Sequence, residues 1–404
     1  MSNVLILCSG YFGKANANGL CAQCLIEEMQ NNEHCVSVIS VGDDEVICSS
    51  LDGVSETAVS YKKINRRSPK NIIAKAWRVG QLFLHAWSPK YNKDVVKKMT
   101  ALAKKQCEKN KIDVIVSVYF PFESVLVGKK LKKQFPGVKY IIYELDSVGD
   151  GIVSGAKWHK PISHAYKCAM GRAYKKSDRV IIMKSHEAHW TKEHVKYVNK
   201  MKISDLPVLV APELSAVQCN KEHDQIRFIY SGALDNSYRS PQSMLTAFGM
   251  LGKEPYSIEF YIKGCENELG EASKADNRIL IHGYVDKKDL DSTIAGADIL
   301  ISVGNRVSNC VPSKVITYMT YGKPIIHFSL QKHDVCVEYL EKYPISMIIG
   351  CDELPVEAAE RIRMFVNARK AEPVDFDKLC NDLPMNIPAY SVGLIMQLLE
   401  GAQN

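Results

Sequence analysis

The tripeptide Pro312-Ser313-Lys314, at the start of a helical pattern, is the strongest chemical signal in this sequence. The segment SKVITYMTYG (313–322) has helical spacing and closes on a glycine. The first backbone N–H groups of a helix are unpaired and carry the positive end of its dipole, which favours a bound phosphate. Ser313 adds a hydroxyl group and Lys314 a cation there. The pattern predicts a phosphate site; the alternative for Lys314 is a solvated lysine in a first helical turn.

A second cation, Arg239, follows the loop SGALDNSY (231–238), which starts where the strand pattern IRFIYSG (226–232) ends at Gly232. A cation beside a bound phosphate stabilises the negative charge on it, an electrostatic effect of about 3–4 kcal/mol for a well-placed donor. The alternative for Arg239 is an ordinary surface position in a loop.

The elements that must position these residues alternate regularly between strand and helix. Apolar runs with the character of buried strands are followed by helical segments in both halves of the chain, which predicts α/β architecture with parallel sheets covered on both faces. The predicted strands are 4–10, 35–42, 113–121, 138–146, 179–185, 226–232, 257–264, 278–285, 298–304 and 323–328.

The alternation restarts after residues 206–214, so the sequence predicts two Rossmann-like, doubly wound domains. We assign residues 1–210 to the first domain and 211–375 to the second. Residues 376–404 contain a C-terminal helix (391–401) that can cross back to the first domain. Ligands of such sheets bind at the carboxyl ends of the strands, and a cleft between two such domains is the expected active site.

The segment ADILISVGNRVSNCVPSKVITYMTYGKPIIHF (297–328) resembles the donor-site signature of GT-B glycosyltransferases, in particular the family-4-like group that builds bacterial surface polysaccharides. The resemblance is specific at residues 311–326 and looser over nearly the whole remaining chain. It implies a transferase that takes a sugar from a nucleotide diphosphate sugar, with UDP as the expected nucleotide, no further cofactor and no bound metal. It also implies transfer with retention of configuration.

The resemblance implies roles for particular residues. Arg239 corresponds to a basic loop residue of the family and is implied as a second cation on the diphosphate. The family usually has two glutamates eight positions apart around the donor-site helix, one contacting the donor sugar and the other the ribose. Asn309 and Thr317 stand at those positions and are neutral; Asn309 can still hydrogen-bond the sugar or a phosphate, and Thr317 the ribose. In the first domain, the loop GYFGKANANG (10–19) corresponds to one that lies under the diphosphate, which makes Gly13 and Gly19 candidate donor contacts. The alternative for this loop is an ordinary turn before a helix.

Asp146 ends the strand pattern VKYIIYELD (138–146) and is the best-placed carboxylate for activating an acceptor hydroxyl. Glu144 shares its strand face, and Asp150 follows in a glycine-containing loop. A structural capping role for Asp146 is the alternative, since a retaining enzyme does not strictly require a base.

The thirteen cysteines and the histidines have simpler explanations than metal binding. The chain begins with a strand pattern rather than a signal peptide, so we expect reduced thiols in a cytoplasmic protein. Cys21-x-x-Cys24 is expected to pack in the core. His186, His189 and His194 do not share one helix face completely, and no metal site is predicted.

The net charge of +7 conceals an asymmetry, because residues 1–210 carry about +14 and residues 211–404 about −7. Residues 62–110 alone hold 14 basic and two acidic residues, interleaved with Trp77, Phe83, Trp87 and Tyr91. Basic residues beside large apolar ones are typical of a surface that binds anionic membranes. Nucleic acid is the weaker alternative, and a solvated lysine-rich surface whose aromatic residues face the core is the third.

These observations predict a cytoplasmic transferase, peripheral at the inner face of the cell membrane. It would move a sugar from a nucleotide diphosphate sugar to a saccharide acceptor, expected to be lipid-linked, in the synthesis of capsular, exo- or O-antigen polysaccharide. Two alternatives stay open. One is a nucleotide-sugar epimerase of the same fold, and the other is a degenerate GT-B module that only binds a partner at the membrane.

Overall fold

The computed structural model describes residues 1–12, 16–51, 57–62, 89–146, 159–212, 225–283, 285, 287–306, 310–368 and 374–401. The chain forms two compact units, the first made of Met1–Val208 and Met385–Asn404 and the second of Leu209–Pro384. The predicted site residues Gly13 and Asn309 lie outside the described residues, as do Lys14, Asp150 and the basic-aromatic segment 63–88.

The first unit is built on an eight-stranded sheet in the order β4-β3-β2-β1-β5-β6-β7-β8. All neighbours are parallel except the pairs β2–β3 and β3–β4. The strands are β1 Asn3–Ser9, β2 Cys35–Val41, β3 Glu45–Cys48, β4 Thr57–Ser60, β5 Val114–Tyr119, β6 Lys139–Glu144, β7 Arg179–Met183 and β8 Met201–Ser204.

Helices cover both faces of this sheet. The described ones are α1 Ala17–Asn31, α2 Lys93–Lys109, α3 Phe122–Gln134, α4 His159–Tyr174, α5 Glu187–Glu193 and the final helix α13 Pro388–Glu400. Leu5 and Leu7 of β1 share a buried core with α2, α3 and α4. Val4 and Ile6 alternate with them and are equally buried outside that core, on the face where α1 and α13 pack against each other and the strands. The alternation is that of a two-sided parallel sheet.

The second unit holds a six-stranded sheet in the order β11-β10-β9-β12-β13-β14, parallel throughout. The strands are β9 Ile226–Ala233, β10 Tyr256–Lys263, β11 Ile279–His282, β12 Ile299–Val303, β13 Ile325–Phe328 and β14 Ser346–Ile349. The described helices are α6 Gln242–Gly249, α7 Glu266–Ala275, α8 Lys287–Ala295, α9 Ser313–Met319, α10 Cys336–Leu340, α11 Pro355–Ala368 and α12 Phe376–Asp382.

The C-terminal segment divides later than the sequence suggests. Helix α12, which starts at Phe376, belongs to the second unit, where Lys342 Nζ donates to the carbonyl oxygen of Asp382. The chain joins the first unit at Met385, and α13 is held there by Ser391, whose hydroxyl pairs with Tyr143 Oη at 3.0 Å and Ser204 Oγ at 2.6 Å. The composition of residues 376–384 does not indicate that they belong to the second domain.

Two features bear on the earlier expectations about thiols and membranes. Every cysteine in the described part of the chain is a free thiol. In that same part, no helix combines the length and the apolar character that crossing a bilayer requires.

Candidate functional site

The residues predicted to bind the nucleotide-sugar donor lie at the carboxyl ends of the strands of the second sheet, where the strand order reverses. Strand β9 pairs with β10 on one side and β12 on the other, so the loops that leave β9 and β12 turn in opposite directions at their carboxyl ends. In open α/β sheets this is where ligands bind. The loop after β9 carries Arg239, and the loop after β12 leads to Lys314 at the start of α9.

Lys314 reaches back across this edge to the end of β9. Its ammonium group donates to the carbonyl oxygen of Ser231 and lies 4.5 Å from the ring centroid of Tyr230. Gly232 has φ of +120°, and a Cβ atom there would lie 1.9 Å from Lys314 Nζ. The backbone conformation therefore favours glycine, and a side chain there would displace the Lys314 ammonium from its bond to Ser231.

In the free protein, the positive charge of the Lys314 ammonium is in an unfavourable environment. Its pKa lies well below the ordinary lysine value because burial desolvates the charge and Arg239 repels it. Neither cation forms an ion pair with a carboxylate in the described part of the chain, and residues 307–309, which lie outside it, are Val, Ser and Asn.

Arg239 is fixed by its own loop and by one asparagine. Its backbone N–H donates to the carbonyl oxygen of Asp235 at 2.7 Å, and Asp235 in turn accepts from the N–H of Tyr238 at 3.1 Å through its side chain. The guanidinium donates to Asn305 Oδ1 through Nε at 2.9 Å and Nη2 at 2.5 Å, and through Nη1 to the carbonyl of Ala233 at 3.3 Å. Lys314 and Arg239 thus bind carbonyls two residues apart on β9.

Helix α9 begins at Ser313, as the sequence predicts, after Pro312 in extended conformation. Val315, Ile316 and Met319 are buried and anchor it. Thr317 is partly buried and donates to the carbonyl of Lys314 at 3.3 Å. None of the other described contacts of Thr317 supports a role in binding the nucleotide-sugar donor. Asn309, the other residue predicted for that role, lies outside the described residues.

Asn305 was not singled out by the sequence, although it belongs to this group. It is 1% exposed and is the acceptor for Arg239. A polar residue directly after a glycine at the end of a buried strand is the signal that marks it, but only the fold shows that it meets a residue 66 positions away.

The only described group of three side chains that can together ligate a metal consists of His327, Asp334 and Cys336. Its imidazole and carboxylate already contact each other, since His327 Nε2 lies 2.9 Å from Asp334 Oδ2, and the backbone N–H of Cys336 donates to Asp334 Oδ1 at 2.9 Å. Burial opposes ionisation of Asp334, but His327 and the hydrogen bonds hold its pKa below the usual value. This arrangement is a structural brace.

In the first unit, Asp146 follows the end of β6 and is partly buried. Asn18 Nδ2 donates to Asp146 Oδ2 at 2.9 Å and to the carbonyl oxygen of Phe120 at 3.1 Å. Burial raises the pKa of Asp146, and the bond from Asn18 limits the rise. The structure thus brings the first turn of α1 and the ends of β5 and β6 together around one carboxylate.

Gly19 has a structural reason to be glycine. A Cβ atom there would lie 2.0 Å from the carbonyl oxygen of Gly10, so α1 starts in close contact with the end of β1. The N–H of Gly19 donates to Asn16 Oδ1 at 2.8 Å, which caps the helix. The donor role for Gly19 stays a prediction.

Glu144 turns away from Asp146 and into the core. It is 2% exposed and accepts from Tyr174 Oη and from Trp190 Nε1, the latter at 2.8 Å. Burial raises its pKa to about 8 against the opposing effect of both hydrogen bonds. Of the two carboxylates on that strand, only Asp146 is exposed in part.

Sequence comparison found no matching family model and no matching curated protein. Comparison of structures found many similar folds. HepE of Anabaena in complex with UDP-glucose has a TM-score of 0.59 at 12% identity, over all of both chains. UDP-GlcNAc 2-epimerase from Methanocaldococcus jannaschii has a TM-score of 0.56 at 12% identity, over 98% of this chain and 99% of its own.

The lipopolysaccharide outer core galactosyltransferase WaaB has a TM-score of 0.52 at 9% identity, over 99% of both chains. These similar structures include glycosyltransferases and epimerases that act on nucleotide sugars. At such low identity the likeness establishes the fold alone. The predicted fold class is confirmed: the chain is an α/β protein with two Rossmann-like domains of the GT-B type.

Proposed function

We propose that this protein is a glycosyltransferase that moves a sugar from a nucleotide diphosphate sugar, with UDP as the expected nucleotide, to a saccharide acceptor. The observation that carries the proposal is the pair Lys314 and Arg239, two cations at the carboxyl ends of β9 and β12 whose described partners are all uncharged oxygens. Burying such charges without counter-ions is unfavourable, and a diphosphate supplies the missing negative charge.

In the reaction, the bond between the anomeric carbon and the β-phosphate oxygen breaks, and the acceptor hydroxyl oxygen forms the new bond to that carbon. Lys314 and Arg239 stabilise the charge that develops on the leaving diphosphate. In a retaining transfer the acceptor proton goes to the leaving phosphate oxygen; Asp146, whose raised pKa suits proton exchange, is the protein group proposed to receive it otherwise.

The nearest rival is a nucleotide-sugar epimerase, favoured by the similarity to the Methanocaldococcus jannaschii enzyme. The same cations would serve it, but it has no need of a saccharide acceptor. Incubation with the sugar donor that binds, followed by product analysis with and without saccharide acceptors, separates the two. Acceptor-independent conversion of the donor sugar would support the epimerase and contradict transfer.

The donor half of the proposal is tested by calorimetric titration of the purified protein with UDP, GDP, CDP, dTDP and ADP. We expect one of them, UDP first, to bind, and Lys314→Ala and Arg239→Ala each to weaken that binding at least tenfold while the protein stays folded. Lys253→Ala is the matched control, because it removes a fully solvated lysine from the same domain. Absence of binding by every nucleotide favours the binding-module alternative and refutes the proposal.

We also propose that the first domain contacts an anionic membrane, where lipid-linked saccharides of surface (capsular, exo- or O-antigen) polysaccharide synthesis are found; this places the protein in the cytoplasm at the inner face of the membrane. In the described part of 62–110, α2 buries Val95, Val96, Met99 and Ala103. Its exposed lysines are Lys93, Lys97, Lys104, Lys105 and Lys109. Each lysine near such a surface contributes about 1 kcal/mol.

Tyr91 faces inward, with its ring 6.4 Å from that of Phe122 and packed on the first domain's core. Among the described residues, the support for binding to a membrane is therefore electrostatic. Sedimentation with vesicles containing phosphatidylserine at low salt should carry the protein down, and high salt should release it. Failure to sediment at low salt, or equal sedimentation with neutral vesicles, would remove this part of the proposal.

A further inference from the structure

Arg239 is oriented by an amide, whereas Arg227, Arg278 and Arg361 of the same domain are oriented by carboxylates. In the same domain, Arg227 donates through Nε and Nη2 to the two carboxylate oxygens of Glu259, at 2.7 and 3.0 Å. Arg239 uses the same two nitrogens, but both donate to the single oxygen Oδ1 of Asn305. Both contacts use the same two guanidinium nitrogens, and the acceptor groups differ by one unit of charge.

The amide of Asn305 is assigned without ambiguity by its other bond. Its Nδ2 group donates to the carbonyl oxygen of Cys310 at 2.8 Å, so the nitrogen must point there and the oxygen toward Arg239. A guanidinium has only donors and a carbonyl oxygen only accepts, so the reversed amide would set donor against donor.

The backbone around Asn305 is fixed from several sides. The N–H of Gly304 donates to the carbonyl of Phe328 at 2.9 Å, and Gln331 Nε2 donates to the carbonyl of Asn305 at 3.0 Å. Asp334, held by His327, packs so closely that a Cβ atom on Gly304 would lie 2.1 Å from its Oδ2 atom. The brace therefore sets the place from which Asn305 reaches Arg239.

A carboxylate in this place would hold the guanidinium more strongly, because charge-assisted bidentate pairs are the strongest hydrogen-bonded pairs that arginine makes. It would also cancel the charge of Arg239. An amide orients the guanidinium without cancelling its charge, but it stabilises the local structure less than a carboxylate would. Such an arrangement is expected where the positive charge binds a group outside the protein.

We propose that Asn305 is a positioning residue that aims the guanidinium of Arg239 at the diphosphate of the nucleotide donor while leaving its positive charge available. The inference rests on the proposed function, since it names how that same site keeps its charge. Asn305 itself need not touch the donor.

The test uses Asn305→Asp, which preserves size and the acceptor oxygen, and titrates the full-length protein with UDP. Asn305→Asp should weaken UDP binding at least tenfold while the melting temperature changes little, because the new ion pair with Arg239 offsets the lost hydrogen bond from Nδ2 to the carbonyl of Cys310. Arg239→Ala should weaken binding to a similar degree. Combining the two substitutions should add little to either one, because both remove the same charge.

The reciprocal exchange at the structural arginine is the matched control. Glu259→Gln turns the pair with Arg227 into an amide contact, and it should lower the melting temperature while leaving UDP affinity within twofold. In turnover, Asn305→Asp should raise KM for the donor and leave KM for the acceptor unchanged.

Unchanged UDP affinity in Asn305→Asp would overturn the inference and leave the proposed function standing. So would a loss of affinity that only accompanies a lower melting temperature, or a double variant in which the two losses add fully. If the unmodified protein binds none of the nucleotide diphosphates, the proposed function fails, and the inference fails with it.

Discussion

Lys314 should weaken the fold that it serves, and this makes its replacement by methionine a sharp test. Methionine has nearly the same length, keeps the contact with the ring of Tyr230 and removes the ammonium. That ammonium has one hydrogen bond, to the carbonyl of Ser231, and no counter-ion among the described residues. Its depressed pKa records the cost of burying the charge beside Arg239. We therefore expect Lys314→Met to stabilise the second domain and impair the site.

The magnitudes follow from those contacts. Replacing buried charges with apolar groups of similar volume is often neutral or stabilising by about 1–4 kcal/mol, and the lost hydrogen bond offsets about 1 kcal/mol of it. The difference is a net gain of about 0–3 kcal/mol, which corresponds to a rise in Tm of up to roughly 12 °C for a domain of this size class. Binding should change oppositely: a hydrogen bond to a charged group contributes about 1.5–3 kcal/mol, or roughly 10- to 150-fold in affinity for UDP.

The pH dependence has a definite sign. Because the pKa of Lys314 is lower in the folded chain than the ordinary value of 10.5, the unfolded chain binds the proton more tightly between those two values. Stability of the unmodified protein must then rise with pH across that window. The advantage of Lys314→Met should be largest below the folded-state pKa and shrink as the pH approaches 10.5.

The assay is denaturant unfolding of the second domain in the unmodified protein, in Lys314→Met and in Lys253→Met, at pH 7 and near pH 10, with and without UDP. Ligand that binds only the folded protein raises its stability, so UDP should protect the unmodified chain and the control more than Lys314→Met. A variant that is markedly less stable at pH 7, or one that UDP protects as well as the unmodified chain, would refute the reasoning.

Three further substitutions have expected outcomes. Gly232→Ala should abolish UDP binding and lower Tm, because the new methyl would occupy the place of the Lys314 ammonium and the backbone has φ of +120°; normal binding in calorimetry would contradict this. Asp146→Asn should lower the rate of sugar transfer but leave UDP affinity within twofold. Glu144→Gln should flatten the fall in stability of the first domain between about pH 4.5 and 8, which the raised pKa of Glu144 imposes because the folded state binds the proton more tightly; urea midpoints across that range measure it.

Periodicity carried the fold prediction far, because buried parallel strands are apolar throughout and the helices between them have clear ends. Helix α9 shows this well: the predicted segment 313–322 contains Ser313–Met319, and Gly322, with φ of +63°, closes the turn that follows. Such signals are local, and local signals survive in any tertiary context. The end of the second domain at Pro384 depends instead on contacts between distant segments, which no window of sequence reports.

The candidate site divides in the same way. Lys314 could be recognised from its place at a helix start, and Arg239 from its place in a loop after a strand. What could not be recognised is that both bind the end of one strand, or that Asn305 orients Arg239, because those contacts join segments 66 to 83 residues apart. The local sequence likewise does not report that Glu144, two residues before Asp146, is buried and bonded to Tyr174 and Trp190.

Three arginines of the second domain pair with carboxylates, whereas Arg239 does not. Arg227 pairs with Glu259, Arg278 with Asp276 and Arg361 with Glu353, the closest N–O distances being 2.6–2.7 Å. The domain is acidic enough to offer Arg239 a carboxylate as well. A cation left without one in acidic surroundings is held there by the geometry of neutral groups, which points to a use for its charge.

The first domain applies the same solution with the opposite sign. Asp146 is oriented by the amide nitrogen of Asn18, although this half of the chain is rich in lysine. An amide can present either its oxygen to a guanidinium or its nitrogen to a carboxylate, and in both cases it fixes the direction of the charged group without neutralising it. Asn305 therefore orients Arg239, and Asn18 orients Asp146, as an oppositely charged side chain would, but without neutralising them. Groups that must meet a changing charge on a substrate need their own charge intact, so the two asparagine contacts support the roles proposed for Arg239 and Asp146.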